Sequence, residues 1–364
     1  MSPAPIAAAD AQAPRLYCPV PEAVHPDAAG IDRRTVDWLR AHALYSDPWQ
    51  LHAAERARPG LLAARCLPSG EPARVQLFAD FHTWALAFDD EYCDEAAPSA
   101  LPLPEWTRYL HALARVVDTS DLGPLGADPH AGALHELERR VRELGHPVQR
   151  MRWRAALCQW FMALIWEAQT RDGSVRPTFD DYLLLRLHNG AVQAGLVLLD
   201  MVGGYVLPSQ VAEQPAVRAL ADMTCALVGW DNDLFSWYKE KRDGPPGQLN
   251  LVDVLAVEHG LDHAGAVRAA VEMRNAVMVR FLDATSRAGT EAGPELLRHI
   301  AALRQRVRAN LDFGRTSARY ARPGEPDAIL ARRAESVGAR TGQAGPGTDG
   351  PVFTRWWHED TSVS

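Results

Sequence analysis

The chain has 364 residues, 47% hydrophobic and 23% charged, a globular composition that excludes wholesale disorder and a fibrous repeat. Its 38 Lys and Arg against 46 Asp and Glu give a net charge of −8 with no long basic run, which argues against non-specific binding to nucleic acid or to an anionic membrane surface. Five scattered cysteines without a Cys-x-x-Cys pair, and a start that is neither basic nor followed by an apolar core, point to a reduced, cytoplasmic chain without a signal peptide.

In chain order, residues 1–14 are rich in Ala and Pro and are expected to be disordered. Helical periodicity begins at Ile31 to Leu44. Arg74 to Tyr92 then places Leu77, Phe78, Phe81, Ala85 and Phe88 three and four apart, which predicts a helix with one apolar stripe. Leu134 to Leu144 and Val148 to Glu167 follow; the second holds the purest apolar run, Ala155 to Trp166, too short to span a bilayer. Phe179 to Leu199, Val217 to Lys239, His263 to Ala288 and Gly293 to Ser317 complete the helical stretches. Turn signals such as Asp172-Gly173 and Gly244-Pro245-Pro246-Gly247 lie between them, and neither period-two strands nor Asn-Gly hairpins occur. The expectation is an all-α, single-domain helical bundle of about ten helices over residues 15–322, followed by a flexible tail, 323–364.

Two constellations carry chemistry. Asp89-Asp90-Glu91-Tyr92-Cys93-Asp94-Glu95 sets five acids at the end of an apolar helix, where negative charge opposes the helix dipole. Asp89, Asp90 and Asp94 can converge on a hard cation; read alone, the cluster fits either a metal site or a solvated helix end. The second is Asn232-Asp233-Leu234-Phe235-Ser236-Trp237-Tyr238-Lys239-Glu240. Asn232, Ser236 and Glu240 recur every four residues and form one row of oxygen donors on a helix, with Lys239 beside the last.

Together the two strings resemble the metal-binding motifs of bacterial class I terpene synthases, an aspartate-rich motif followed by N-D-x-x-S-x-x-x-E, here 143 residues apart. Arg186, 46 residues before Asn232, is similar to the diphosphate-sensing arginine of that family, and Asn189-Gly190 to the helix break behind it. Arg319-Tyr320 resembles the family's diphosphate-binding pair. The first motif departs from the usual spacing, with Cys93 where a final Asp is common and Asp94 or Glu95 as its replacement. Asn189 replaces a frequent acid, and Phe313 a frequent Trp.

The resemblance implies a terpene cyclase that ionises a linear prenyl diphosphate with three Mg²⁺ ions, Mn²⁺ being the alternative cation. Asp89, Asp90, Asp94, Asn232, Ser236 and Glu240 would be the metal ligands, and Arg186, Lys239, Arg319 and Tyr320 the diphosphate-binding groups. Asn189 and Gly190 would form the moving break, with glycine chosen for its backbone freedom. Counting turns back from Asp89 sets Ala85 or Leu86, then Phe81 or His82, then Phe78 on the cavity wall; Phe81 and Phe78 are favoured, with Phe313 facing them, to stabilise a carbocation by cation–π attraction of about 0.5 to 2 kcal/mol per ring. The tryptophans are expected to be core. Farnesyl diphosphate is the favoured substrate, with geranylgeranyl and geranyl or 2-methylgeranyl diphosphate as alternatives, in a monomer or homodimer. Rival classes are a chain-elongating prenyl synthase, which would repeat the D-D-x-x-D cluster, and a non-catalytic helical scaffold.

Overall fold

A computed structural model provides the structure of the protein and describes residues 16–93, 100–171, 174–243 and 249–320. Asp94, Glu95, the segment 1–14 and the tail 323–364 lie outside the described residues. Within them the chain forms α1 (Ala28–Ala41), α2 (Pro48–Arg56), α3 (Pro59–Cys66), α4 (Pro72–Phe88), α5 (Leu103–Thr119), α6 (Pro129–Leu144) and α7 (Pro147–Ala168). It continues through α8 (Phe179–Asn189), α9 (Val192–Val202), α10 (Ser209–Ala212), α11 (Pro215–Asp243), α12 (Leu251–His259), α13 (His263–Gly289) and α14 (Pro294–Thr316), with no strand among the described residues.

The all-α expectation holds, but the helices are more numerous than periodicity suggests. Short α2, α3 and α12 have too few turns for a readable stripe. Their starts are written instead in local chemistry: Asp47 accepts from the Trp49 amide ahead of Pro48, and Asn250 accepts from the Val252 amide. Proline at the first helical turn recurs in α3, α4, α6, α7 and α14, where its missing N–H costs nothing.

The single stripe expected on α4 is also too modest. Val75, Leu77, Phe78, Ala79, Phe81, Trp84, Ala85, Ala87 and Phe88 are all buried, on every side, because α4 runs through the middle of the bundle against α1, α3, α6 and α9. Opposite it, α11 packs against α8, α13 and α14. Buried side chains from all these helices join in one hydrophobic cluster.

Phe179 to Leu199 does not run as one helix. The chain breaks between α8 and α9, and the left-handed residue there is Ala191 (φ 55°), whereas Gly190 keeps an ordinary φ of −91°. The freedom expected of Gly190 is thus exercised by its neighbour, at the strain cost a side chain carries there. The stretch Phe179–Val202 is the one described segment long and apolar enough to cross a membrane, yet 67% of its apolar window is buried inside the bundle.

Candidate active site

The first acidic motif does not simply continue α4. After Phe88 the hydrogen bonding widens into a π-turn, Asp89–Cys93, a local unwinding often found at functional sites. The wider turn re-aims the acids. Asp89 and Cys93 line a cavity between α4, α8, α11 and α14. Glu91 turns away and accepts hydrogen bonds from the Ser46 amide (2.8 Å) and hydroxyl. Tyr92 joins a buried ring cluster with Phe88, Trp106 and Tyr109.

Asp90 is fully engaged by other groups. Its Oδ2 accepts from the Tyr45 hydroxyl (2.8 Å) and from Arg319 Nη1 (2.7 Å), and its Oδ1 lies 3.4 Å from Lys239 Nζ. Burial would raise this carboxyl, but the charges of Arg319 and Lys239 outweigh it and hold Asp90 well below the usual carboxylate range. Arg319 also approaches Asp89 at 3.7 Å.

The second motif lies inside α11, and the four-residue spacing does put Asn232, Ser236 and Glu240 on the cavity wall. The Ser236 hydroxyl donates to Glu240 Oε1, and Asn250 Nδ2 donates to Glu240 Oε2 at 2.7 Å. Burial, reinforced by the charge of Asp233, pushes the Glu240 carboxyl up to about 7. Asn232 Nδ2 donates to the Tyr320 hydroxyl (2.8 Å), so the second motif and the Arg319-Tyr320 pair meet directly.

Arg186 reaches the same wall from α8. Its Nη2 donates to Asn232 Oδ1 (2.8 Å), to the Gly229 carbonyl (3.2 Å) and to Asp233 Oδ1, while Nη1 donates to Asn189 Oδ1 (3.1 Å). The amide link from Arg186 to the break therefore exists, and Asn189 Nδ2 passes it on to Glu167 Oε1 at 2.9 Å. Close approach matters here: a Cβ on Gly229 would sit 3.2 Å from Arg186 Cγ.

Of the expected wall aromatics, Phe81 and Phe313 line the cavity. Phe78 does not; it is fully buried and packs its ring on His82 at 4.2 Å. Trp160, expected as plain core, is on the wall and donates its indole N–H to the Asn189 carbonyl (2.8 Å). The cavity holds about 1170 Å³ of space including its solvent-open mouth. Ala85, Leu86, Trp160 and Val192 line it together with the charged groups of the motifs.

Sequence reasoning missed several members. Asp233 is buried between Arg186, the Tyr182 hydroxyl and the Leu251 amide (2.8 Å), tying α8, α11 and α12 together behind the row of Asn232, Ser236 and Glu240. Asn250 was findable as a capping residue ahead of an apolar stretch, although nothing local says that its amide also reaches Glu240. Arg306 and Asn310 on the wall carried no motif at all, and His82, the alternative to Phe81 in the turn count, lines the cavity beside it.

Asp89, Asn232, Ser236 and Glu240 are all oxygen donors, which suits a hard cation. Among the described residues no three His, Cys, Asp or Glu side chains form a preformed metal cluster. A cation at this wall can draw on the Asn232 amide oxygen and the Ser236 hydroxyl, and on water or a ligand's oxygens.

The comparisons agree with this geometry. A family model described as terpene synthase family 2, C-terminal metal binding, matches residues 80–280, a span that contains both motifs. The chain is 40% identical over 344 residues to a (+)-T-muurolol synthase of Streptomyces clavuligerus, covering 94% of this chain and 81% of that one. It is 34% identical to a bonnadiene synthase of Allokutzneria albata, covering 94% and 96%. Among solved structures, the crystal structure of the ancestral reconstruction SVS_A2 superposes with a TM-score of 0.80 at 25% identity, covering 95% of this chain and 98% of that one. With paired oxygen-donor motifs, cationic side chains and aromatic rings around one cavity in a helical bundle, and with relatives along nearly its whole length, the chain belongs to the terpene synthase family.

Proposed function

We propose that the protein is a Mg²⁺-dependent cyclase that ionises a linear prenyl diphosphate, farnesyl diphosphate first among them, and releases diphosphate and a cyclic terpene. The observation that carries this reading is the make-up of one cavity. Arg186, Lys239, Arg319 and the oxygen donors Asp89, Asn232, Ser236 and Glu240 line it together with Phe81, Phe313 and Trp160.

Asp90 holds Lys239 and Arg319 beside the mouth. A diphosphate is a stronger anionic partner than one carboxylate, so both cations can turn to it and release Asp90 for a second task. Tyr320 adds a hydroxyl from the same side, and Arg186 is the sensor at the back of α11. Asp89 on the wall and Asp90 once released would hold the metal from one side, and Asn232, Ser236 and Glu240 from the other, with Asp94 completing the first set. When bound, Mg²⁺, in three ions by family resemblance, supplies Lewis-acid stabilisation of the leaving diphosphate. Arg186, through Asn189, couples the mouth to the break before α9, where Gly190 lines the cavity. The wall aromatics exclude water and stabilise the cation.

The C15 substrate is supported by two relatives named as cyclising (2E,6E)-farnesyl diphosphate, at 40% and 31% identity. A C20 reading has support from a Streptomyces protein named a diterpene cyclase, 26% identical with 95% of this chain covered. Incubation of purified protein and Mg²⁺ with each of the C10, methylated C10, C15 and C20 diphosphates, followed by diphosphate assay and mass spectrometry of volatiles, decides between them. Release confined to the C20 substrate establishes the second reading, and no release from any of the four refutes both.

A further inference from the structure

Two polar side chains on the cavity wall take no part in the diphosphate chemistry. His82 lies on α4 seven residues before Asp89, roughly 10 Å below it along the helix. Arg306 lies on α14, about two turns before Phe313. Both line the cavity, and they are only 8% and 3% exposed.

Each presents unmet hydrogen-bonding atoms. His82 Nδ1 lies 2.9 Å from the Phe78 carbonyl, which only accepts, so Nδ1 carries the proton and Nε2 is a bare acceptor. That Nε2 has no hydrogen-bond partner in the protein. Gly195 of α9 packs closely against it, since a Cβ there would come within 2.9 Å of Nε2. Arg306 can only donate, and its Nε and Nη1 are likewise unmatched. Among the described residues no carboxylate pairs with it; the groups its charge acts on are His82, Cys66 and Cys225. Burial and the nearby Arg306 charge keep His82 neutral, down to about 3.

Unmatched donors and an unmatched acceptor on one wall are costly to bury, and their chemistry is complementary. A diphosphate, which only accepts, could satisfy Arg306 but not Nε2. A hydrocarbon could satisfy neither. A small molecule that both accepts and donates satisfies both, and water is the one always at hand.

We propose that Arg306 and His82 form a water-holding subsite, and that its water captures the carbocation so that the product is a cyclic terpene alcohol. The inference rests on the cyclase reading above. One Arg306 N–H donates to the water oxygen and the water donates one hydrogen to His82 Nε2, which leaves the second lone pair facing the apolar space. That lone pair forms the new C–O bond. One O–H bond of the resulting oxonium then breaks, its electron pair stays on oxygen, and the proton passes to His82 Nε2, a far stronger base than a protonated alcohol, and from there to diphosphate or solvent on product release.

The test is turnover of the accepted prenyl diphosphate in oxygen-18 water, with diphosphate release and products measured together. A labelled cyclic alcohol is expected. In Arg306→Met and in His82→Phe the ratio of alcohol to alkene among the products formed should fall roughly tenfold or more, whatever the total rate, as expected for loss of a charged or buried hydrogen bond. Arg306→Lys, which keeps a cationic donor, should restore part of the alcohol. Diphosphate release with hydrocarbons alone from the parent protein overturns the subsite and leaves the cyclase reading standing. A labelled alcohol whose share is unchanged in the soluble, folded variants overturns it too. No diphosphate release from any substrate overturns the cyclase reading itself, and the subsite with it.

Discussion

Replacing Arg186 by Met tests whether this arginine serves chemistry, architecture or both. Arg186 is the cationic partner of Asp233, whose side chain is 1% exposed and whose remaining donors are the Tyr182 hydroxyl and the Leu251 amide. Removing the guanidinium leaves a buried carboxylate without its countercharge, a class of change that costs about 3 to 5 kcal/mol. The arginine also gives up hydrogen bonds to Asn189, Asn232 and the Gly229 carbonyl. Adding Asp233→Asn removes the orphaned charge while keeping the side-chain shape. The double variant is therefore expected to recover about 2 kcal/mol in urea unfolding, a coupling of the size directly paired residues show. Diphosphate release should stay low in both, because no donor replaces Arg186 beside Asn232. A parent-like unfolding midpoint for Arg186→Met would refute the electrostatic argument. A double variant that regained both stability and turnover would show that Arg186 only holds the helices together.

Asn250→Ala removes the cap of α12 and the amide that donates to Glu240, so a loss of about 1 to 2 kcal/mol in unfolding together with weakened Mg²⁺ dependence of turnover is expected; a stability change without any effect on the metal titration would separate the two roles. Gly314→Ala would bring a Cβ within 2.2 Å of the Phe235 ring, which packs on Tyr320, and should cost about 1 to 3 kcal/mol and lower turnover; unchanged unfolding would mean that the ring moves freely. Asp90→Asn should depress turnover about a hundredfold or more while Cys93→Ala is far milder, and a severe loss at Cys93 in folded protein would reassign the first motif. His82 and His299 are held neutral by burial, down to about 3 and about 4, so on acidification the unfolded chain takes up protons first. The stability each contributes is present above about 6.5 and is lost as pH falls, by roughly 1 kcal/mol per histidine between pH 7 and 5.5. His299→Gln should flatten that slope, and an unchanged slope would refute the assignment.

The sequence by itself determined the class of fold and the oxygen-donor row that faces the cavity. Asn232, Ser236 and Glu240 share a face because a helix repeats every 3.6 residues, and α11 is long enough to keep that period intact. The apolar spacing of Phe78, Phe81, Ala85 and Phe88 likewise required a buried helix before Asp89. Proline and capping residues marked helix starts that periodicity was too short to show.

What only the tertiary structure decided is how those residues are used. The π-turn at Asp89 to Cys93 separates acids that an ideal helix would have grouped, because Glu91 and Tyr92 are claimed by Ser46 and by the aromatic cluster. Asp90 is met by Arg319, 229 residues away, and Asp233 by Tyr182 and Leu251, pairings that no local pattern encodes. Ala191 rather than Gly190 takes the left-handed turn, showing that packing of α8 and α9 overrides the local preference for glycine. Phe78 falls behind the wall and Trp160 falls on it, since a helix buried on every side has no single face that spacing could point to the cavity. His82 and Arg306 become a pair only where α4 and α14 border the same cavity, 224 residues apart in the chain.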